Sequence, residues 1–309
     1  MKRFLSDISF YLLRGSLFIL GKLPLELHYF NAIWLSVLIR KVFKYRVPLV
    51  EESLSYAFPE KSEEQRRRIL KDFYRHFAEV FVEAVWFGSC TDRKRVVKSH
   101  IVELGDMTQL GAALQKAPGA MVMCSHSGNW ELQGGVELFE PDYGENPIKG
   151  EHLCVVYRKL SSALWDRVMK DNRCTPSKKL HDQEGYIESK SIVRYVVTHQ
   201  DKAKMYNMIT DQRPYYAAPS YIRVNFLNRE CNTMSAAAAL ASKTAMPVFF
   251  AHMLRKPGFG YTLEYEMICP DASKMEVEQI MKRYYELLEA DIRKQPENYL
   301  WTHNRWGCQ

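Results

Sequence analysis

The 309-residue chain contains no Cys-x-x-Cys pair: its seven cysteines, at 90, 124, 154, 174, 231, 269 and 308, are odd in number and widely scattered. That pattern argues against a zinc–cysteine site or a disulfide framework and fits reduced thiols in a cytoplasmic protein. There is no His-Glu-x-x-His, and His126 has no ligand partner near it in sequence, so neither a metal nor a cofactor is expected. There is no Gly-x-Ser-x-Gly elbow either. A hydrolase built on Ser125 or Ser127 with His126 as base therefore lacks its usual setting, and neighbours such as Ser125 and His126 project to opposite sides of an extended strand. No apolar run reaches the roughly 18 to 20 uninterrupted residues of a clear membrane-spanning helix. Arg14 divides the first such run, and Pro24 and Glu26 separate it from the second. A secretory signal is not expected, because the apolar region is charged inside and no small-residue cleavage site follows it. Repeats and low-complexity tracts are absent too.

What is present is unevenly distributed. The composition, 47% apolar and 26% charged, is that of a globular protein long enough for one large core. Within residues 1–50, however, Lys2, Arg3, Arg14, Lys22, Arg40, Lys41, Lys44 and Arg46 face only Asp7 and Glu26, which accounts for +6 of the formal net +7. The same segment is the most apolar, with runs at 10–13, 17–20 and 29–39. Basic and apolar together point to an anionic membrane surface rather than nucleic acid. The spacing predicts a helix in the interface, or a marginal span, with Arg3, Asp7, Arg14 and Lys22 forming a polar stripe. The alternative is a helix packed on its own domain. We divide the chain into this segment, 1–50, and a domain over 51–309.

Phe58-Pro59-Glu60 breaks the chain, and Ser62-Glu63-Glu64-Gln65 offers a capping box for a helix running to about Trp86. Its apolar face reads Ile69, Phe73, Phe77, Val80, Phe81, Ala84 and Val85, and its run of arginines and lysines reads as a solvated face. From residue 119 the pattern alternates: strand 120–124, helix about 130–139, strand 153–157, helices 161–171 and 188–199, strand 205–210. A helix over 235–243, strands near 248–253 and 261–265, and a helix over about 274–293 follow. This is an α/β layout.

The most informative stretch is Cys124-Ser125-His126-Ser127-Gly128-Asn129-Trp130-Glu131. A His-x4-Asp/Glu pattern arises about once by chance in a chain with nine histidines and 36 acidic residues, so its context carries the reading. An apolar strand precedes the histidine, and Ser127-Gly128-Asn129 is turn and N-cap chemistry, which puts His126 at the carboxyl end of a strand. An imidazole whose far nitrogen donates to Glu131 is held in one tautomer, and it can deprotonate an alcohol attacking an activated carbonyl. The bland alternative is a buried histidine at a helix start. Two further strand runs end in polar residues: Arg158, a cation for an oxyanion or phosphate, and Asp211-Gln212-Arg213. Arg158 could equally be a surface arginine, and Asp211 and Arg213 could simply pair. The tail from Pro296 to Trp306 either lines a lipid-facing mouth, with Arg305 near headgroup phosphate, or packs as an ordinary terminus.

Taken together these segments resemble the bacterial lipid A biosynthesis (late) acyltransferases, of lauroyl and myristoyl transferase type. The resemblance rests on residues 53–60 with the helix after them, His126 to Glu131, Val156-Tyr157-Arg158, Asp211-Gln212-Arg213, the small-residue helix 236–245 and Leu300 to Arg305. It departs at Asn225-Phe226-Leu227-Asn228, where the family usually has a Phe-Phe-Gly-like turn. The histidine hexapeptide is shared with glycerolipid acyltransferases, so the resemblance implies their mixed central sheet flanked by helices. It implies transfer of a fatty acyl chain from acyl carrier protein or coenzyme A to a hydroxyl of a lipid A precursor, at the cytoplasmic face of the bacterial inner membrane. It implies that His126 and Glu131 are catalytic, and that Asn129, Arg158, Asp211 and Arg213 bind substrate. A lysophospholipid or aminolipid acceptor, or a peripheral membrane protein with a structural His/Glu pair, are the alternatives.

Overall fold

The computed structural model describes residues 2–140, 145–177, 185–214 and 221–307, with side chains from Ser6 onward. Cys308 and the side chains of Lys2 and Arg3, which entered the reading above, lie outside those described. The strand β2 (Gly119–Cys124) is wholly buried, which explains its unbroken apolar run. Met121 and Met123 join the core on one face of the sheet, and Ala120, Val122 and Cys124 join it on the other. Gly119 opens the strand at φ +92°, where a Cβ would lie 2.0 Å from the Lys204 carbonyl oxygen, so only glycine fits.

Parallel to β2 on one side run β5 (Lys204–Ile209), β3 (Leu153–Tyr157) and β4 (Tyr186–Glu188). On the other side lie β8 (Val248–Arg255), β9 (Tyr261–Cys269) and β1 (Val102–Leu104), which completes the seven-stranded order β1-β9-β8-β2-β5-β3-β4. The β8–β9 pair is antiparallel and the other pairs are parallel, so the sheet is mixed and helix-flanked as expected. A separate hairpin, β6 (Ile222–Phe226) and β7 (Arg229–Thr233), was not foreseen. Its two-residue turn puts Leu227 and Asn228 at positive φ, 50° and 65°, the geometry that favours tight hairpins. The segment expected to be one helix over 188–199 starts instead as the end of β4, and only Ile192–Thr198 is helical. The segment after His126 is a 3-10 helix, Trp130–Leu138, broken at Gly135; adjacent glycines at 134 and 135 are poor helix formers.

The helices α1 (Lys2–Gly21), α2 (Leu25–Val37), α3 (Val47–Ala57) and α4 (Glu63–Phe87) precede the sheet. Between α1 and α2 the chain bends by 113°; among the described residues no single helix is long and apolar enough to cross a membrane, though this bent pair has the length and composition. The capping box forms at α4: Ser62 Oγ accepts from the Gln65 N–H and the Gln65 side chain accepts from the Ser62 N–H. The buried face of α4 is wider than the apolar pattern. It includes His76, Glu79 and Glu83, because α1, α2 and α3 cover the helix from outside, whereas Phe81 is half exposed. On α1 the polar stripe turns inward. Arg14 donates to the Gly88 carbonyl and Thr175 Oγ1 and pairs with Asp171, and Lys22 donates to the Ser89 carbonyl. The opposite face leaves Tyr11, Leu12 and Ile19 exposed by 66 to 71%. The helix does pack on its domain, through Arg14 together with the buried Phe10.

Candidate active site

Two adjacent parallel strands build the centre of the site. Cys124, the last residue of β2, is in register with Ile209, the last residue of β5. Two residues beyond each end stand His126 and Asp211, and parallel pairing brings them side by side although 85 residues separate them in sequence. The imidazole Nδ1–H donates to Asp211 Oδ1 at 2.8 Å, and the backbone N–H of His126 donates to Oδ2 at 3.2 Å. Nδ1 is therefore the protonated nitrogen, and Nε2 carries the lone pair. Gln212 Nε2 lies 3.4 Å from that nitrogen. Burial pushes the Asp211 carboxyl up, but the charge and hydrogen bonds of His126 outweigh it and hold it below the usual range.

The expected partner, Glu131, does not hold the imidazole. Both of its oxygens accept from Arg173, near the end of the helix Ala163–Cys174 (α7 in chain order, after two short helices at Arg93–Ser99 and Thr108–Ala113), which also donates to the Tyr186 hydroxyl. Gly128, at φ +60°, turns the chain against the backbone of Met253, and Asn129 is drawn inward, so Glu131 leaves the turn facing α7. Asn129, expected to bind substrate, is wholly buried: its Nδ2 donates to Glu83 and its Oδ1 caps the 3-10 helix by accepting from the Glu131 N–H. Arg213 is not paired with Asp211 either; its guanidinium donates to the Gly307 carbonyl at 3.1 Å. Arg158 follows β3 at the same sheet edge, beside β5, and is exposed.

The C-terminal segment completes the site. Leu300 N–H donates to the His126 carbonyl and Gly128 N–H to the Asn298 carbonyl, a short bridge across the turn. A tight cleft beside His126, too narrow in this conformation to hold a water molecule, is lined by Phe73, Phe77 and Val80 of α4, by Trp130 and by Leu300. Trp130 meets the imidazole edge-on, ring centres 4.9 Å apart. His76 also lines the cleft, and burial, with the Arg255 charge, holds it well below the usual imidazole range. Burial likewise pushes His303 down to about 4. Of these three imidazoles, His126 is the one with a carboxylate on its ring. Arg305 does not reach a mouth: it is buried, donating to the Asn232 carbonyl and the Tyr285 hydroxyl. Ser127 is buried with Oγ unpartnered, and Ser125 is buried too, so neither serine is presented as a nucleophile. A larger cleft of about 520 Å³ lies elsewhere, among Asp106, Glu264, Glu266 and His252, and holds neither His126 nor Asp211. Among the described residues no group of three or more His, Cys, Asp or Glu side chains is arranged to hold a metal ion.

The chain is 24% identical over 298 residues to the lipid A biosynthesis palmitoleoyltransferase of Escherichia coli (strain K12), covering 94% of this chain and 89% of the relative. The lipid A biosynthesis acyltransferase of Shigella flexneri matches with the same identity and coverage. Residues 2–307 match the family described as bacterial lipid A biosynthesis acyltransferase, and with nearly the whole chain covered, the protein belongs to that family.

Proposed function

We propose that the protein moves a fatty acyl group from an acyl thioester, on acyl carrier protein or coenzyme A, to a hydroxyl of a lipid A precursor. The observation that carries the reading is the His126–Asp211 pair, with Nδ1 fixed by a buried carboxylate and Nε2 left as a base. Nε2 takes the hydroxyl proton as the oxygen attacks the thioester carbonyl. A C–O bond forms, the C–S bond breaks, and the imidazolium returns the proton to the departing thiolate. Asp211 stabilises the imidazolium in between. Arg158 holds phosphate or oxyanion charge at the sheet edge. Glu131 acts at one remove, by holding Arg173 under the turn. The scheme needs no cofactor beyond the thioester co-substrate.

The seat of the reaction is the surface of an anionic bilayer, at the cytoplasmic face of the inner membrane. Outward-facing Tyr11, Leu12 and Ile19 on α1, and Phe30, Trp34, Val42 and Phe43 beyond it, support this, with exposed Lys41, Lys44 and Arg46 beside them. His126→Ala, assayed with a lipid A precursor and either donor, should lose transfer by about 10²- to 10⁴-fold while folding and vesicle binding persist. Transfer at the wild-type rate by that variant would remove His126 from the mechanism. Mass spectrometry of lipids from cells with and without the gene identifies the acceptor and the chain length.

A further inference from the structure

The scheme above makes no use of Glu83. This carboxylate sits on α4 with 1% exposure and accepts hydrogen bonds from three separate parts of the fold. The Tyr29 hydroxyl, on α2, donates to Oε1 at 2.7 Å. The Tyr261 hydroxyl, at the start of β9, and the Asn129 side chain each donate to Oε2 at 2.8 Å. Because Asn129 Oδ1 is already taken by the Glu131 N–H, the orientation of its amide is fixed and Nδ2 must point at the carboxylate. Asn129 stands three residues after His126. The C-terminal segment ties the turn from one side, through Gly128 and Leu300, and Glu83 ties it from inside the protein.

On the basis of the acyl-transfer reading, we propose that Glu83 is a positioning residue for the His126 base. It anchors the turn through Asn129, and Tyr29 makes that anchor depend on the seating of the N-terminal helical pair. A carboxylate suits this task because its two oxygens can accept from all three donors at once. Glutamine can stand in: a carbonyl at the Oε2 position keeps Asn129 and Tyr261, and the amide donates to the Tyr29 oxygen. Leucine can replace none of the three bonds. Tyr29 comes from the helix next to the exposed apolar face, so a shift of that helix on a lipid surface pulls on the same carboxylate.

The test uses the full chain in phospholipid vesicles or detergent micelles, with two readouts. One is the downfield proton resonance of His126 Nδ1–H that a bond to Asp211 produces, assigned by its loss in Asp211→Asn. The other is kcat and KM for acyl transfer. Glu83→Leu should lose or broaden the resonance and lower kcat by about 10- to 100-fold with KM little changed, the behaviour of a misplaced base. Glu83→Gln should restore both, and Tyr29→Phe should lower kcat severalfold. A folded Glu83→Leu with the wild-type resonance and kcat overturns the proposal, as does Glu83→Gln failing to the same degree as leucine. If Glu83→Leu does not fold, Tyr29→Phe decides, and an unchanged kcat and resonance count against the relay. If wild-type protein transfers no acyl group at all, the functional reading falls, and the resonance alone still judges the positioning role.

Discussion

On the proposed acyl-transfer reading, the chemistry at His126 depends on which ring nitrogen keeps its proton, and Asp211 fixes that through Nδ1. Asp211→Asn removes the charge that stabilises the imidazolium and loosens the choice of tautomer. Steady-state assays should register a fall in kcat of about 10²- to 10⁴-fold, with the melting temperature little affected. Glu131→Gln should behave in the opposite way. It leaves the largely buried Arg173 guanidinium without its carboxylate and should cost on the order of 3 kcal/mol of stability, read by denaturant unfolding. Turnover by the folded fraction should stay within severalfold of wild type. Both residues could be picked out in the sequence, Asp211 as a polar residue after a strand and Glu131 as the carboxylate five residues after His126. Their partners could not, because pairing across β2 and β5 depends on the order of strands in the sheet and not on spacing along the chain. Arg173 gave no signal at all: it sits in an ordinary amphipathic helix, and its neighbour across the fold decides its role.

At the scale of elements, α4 holds both the clearest and the least legible features. Its start was readable from Ser62 and Gln65, and Ser62→Ala should cost about 1 kcal/mol, measurable as a lower urea midpoint. Its buried acids were not, since Glu79 and Glu83 break the apolar pattern and become interior because other helices cover them. Burial pushes the Glu83 carboxyl up to about 7, against the pull of its bonds to Asn129, Tyr29 and Tyr261. The unfolded chain releases this proton near pH 4.5, so the folded state binds more protons between there and about pH 7. Stability from this group is therefore present below pH 4.5 and declines as pH rises to about 7, by an amount on the order of 3 kcal/mol. Glu83→Gln should flatten that decline: calorimetry should find the variant gaining on wild type between pH 5 and 7.5. The β6–β7 hairpin escaped the sequence for another reason. Its turn uses leucine where glycine is usual, held at positive φ by a buried side chain and a bond from the Leu227 N–H to Glu289.

For the molecule as a whole, the alternation of strands and helices was enough to give an α/β sheet, and the basic, apolar opening segment was enough to give a helix there, though not the 113° bend that makes it a pair. Which way that pair faced was not readable. A wheel shows a polar stripe and an apolar stripe, and only the contacts of Arg14 and Lys22 with Gly88, Ser89 and Asp171 show that the stripe is anchored to the domain at these residues. Replacing Trp34 and Phe43 together by Glu removes two exposed rings from the outer face. Vesicle sedimentation should then find affinity for anionic liposomes reduced by at least about tenfold, with the melting temperature nearly unchanged because neither ring is part of the core.

The bridge between residues 298–300 and the turn after His126 also bears on how the protein is made. The imidazole and its acidic partner emerge from the ribosome well before the strip that closes over them. A growing chain thus carries both groups while their enclosure is still unsynthesised, and the turn gains its outer tie only after residue 300 has been added. Cutting the chain after Asn298 should free the turn and lower the melting temperature, because the buried Tyr299 and Trp301 leave with the Leu300 tie.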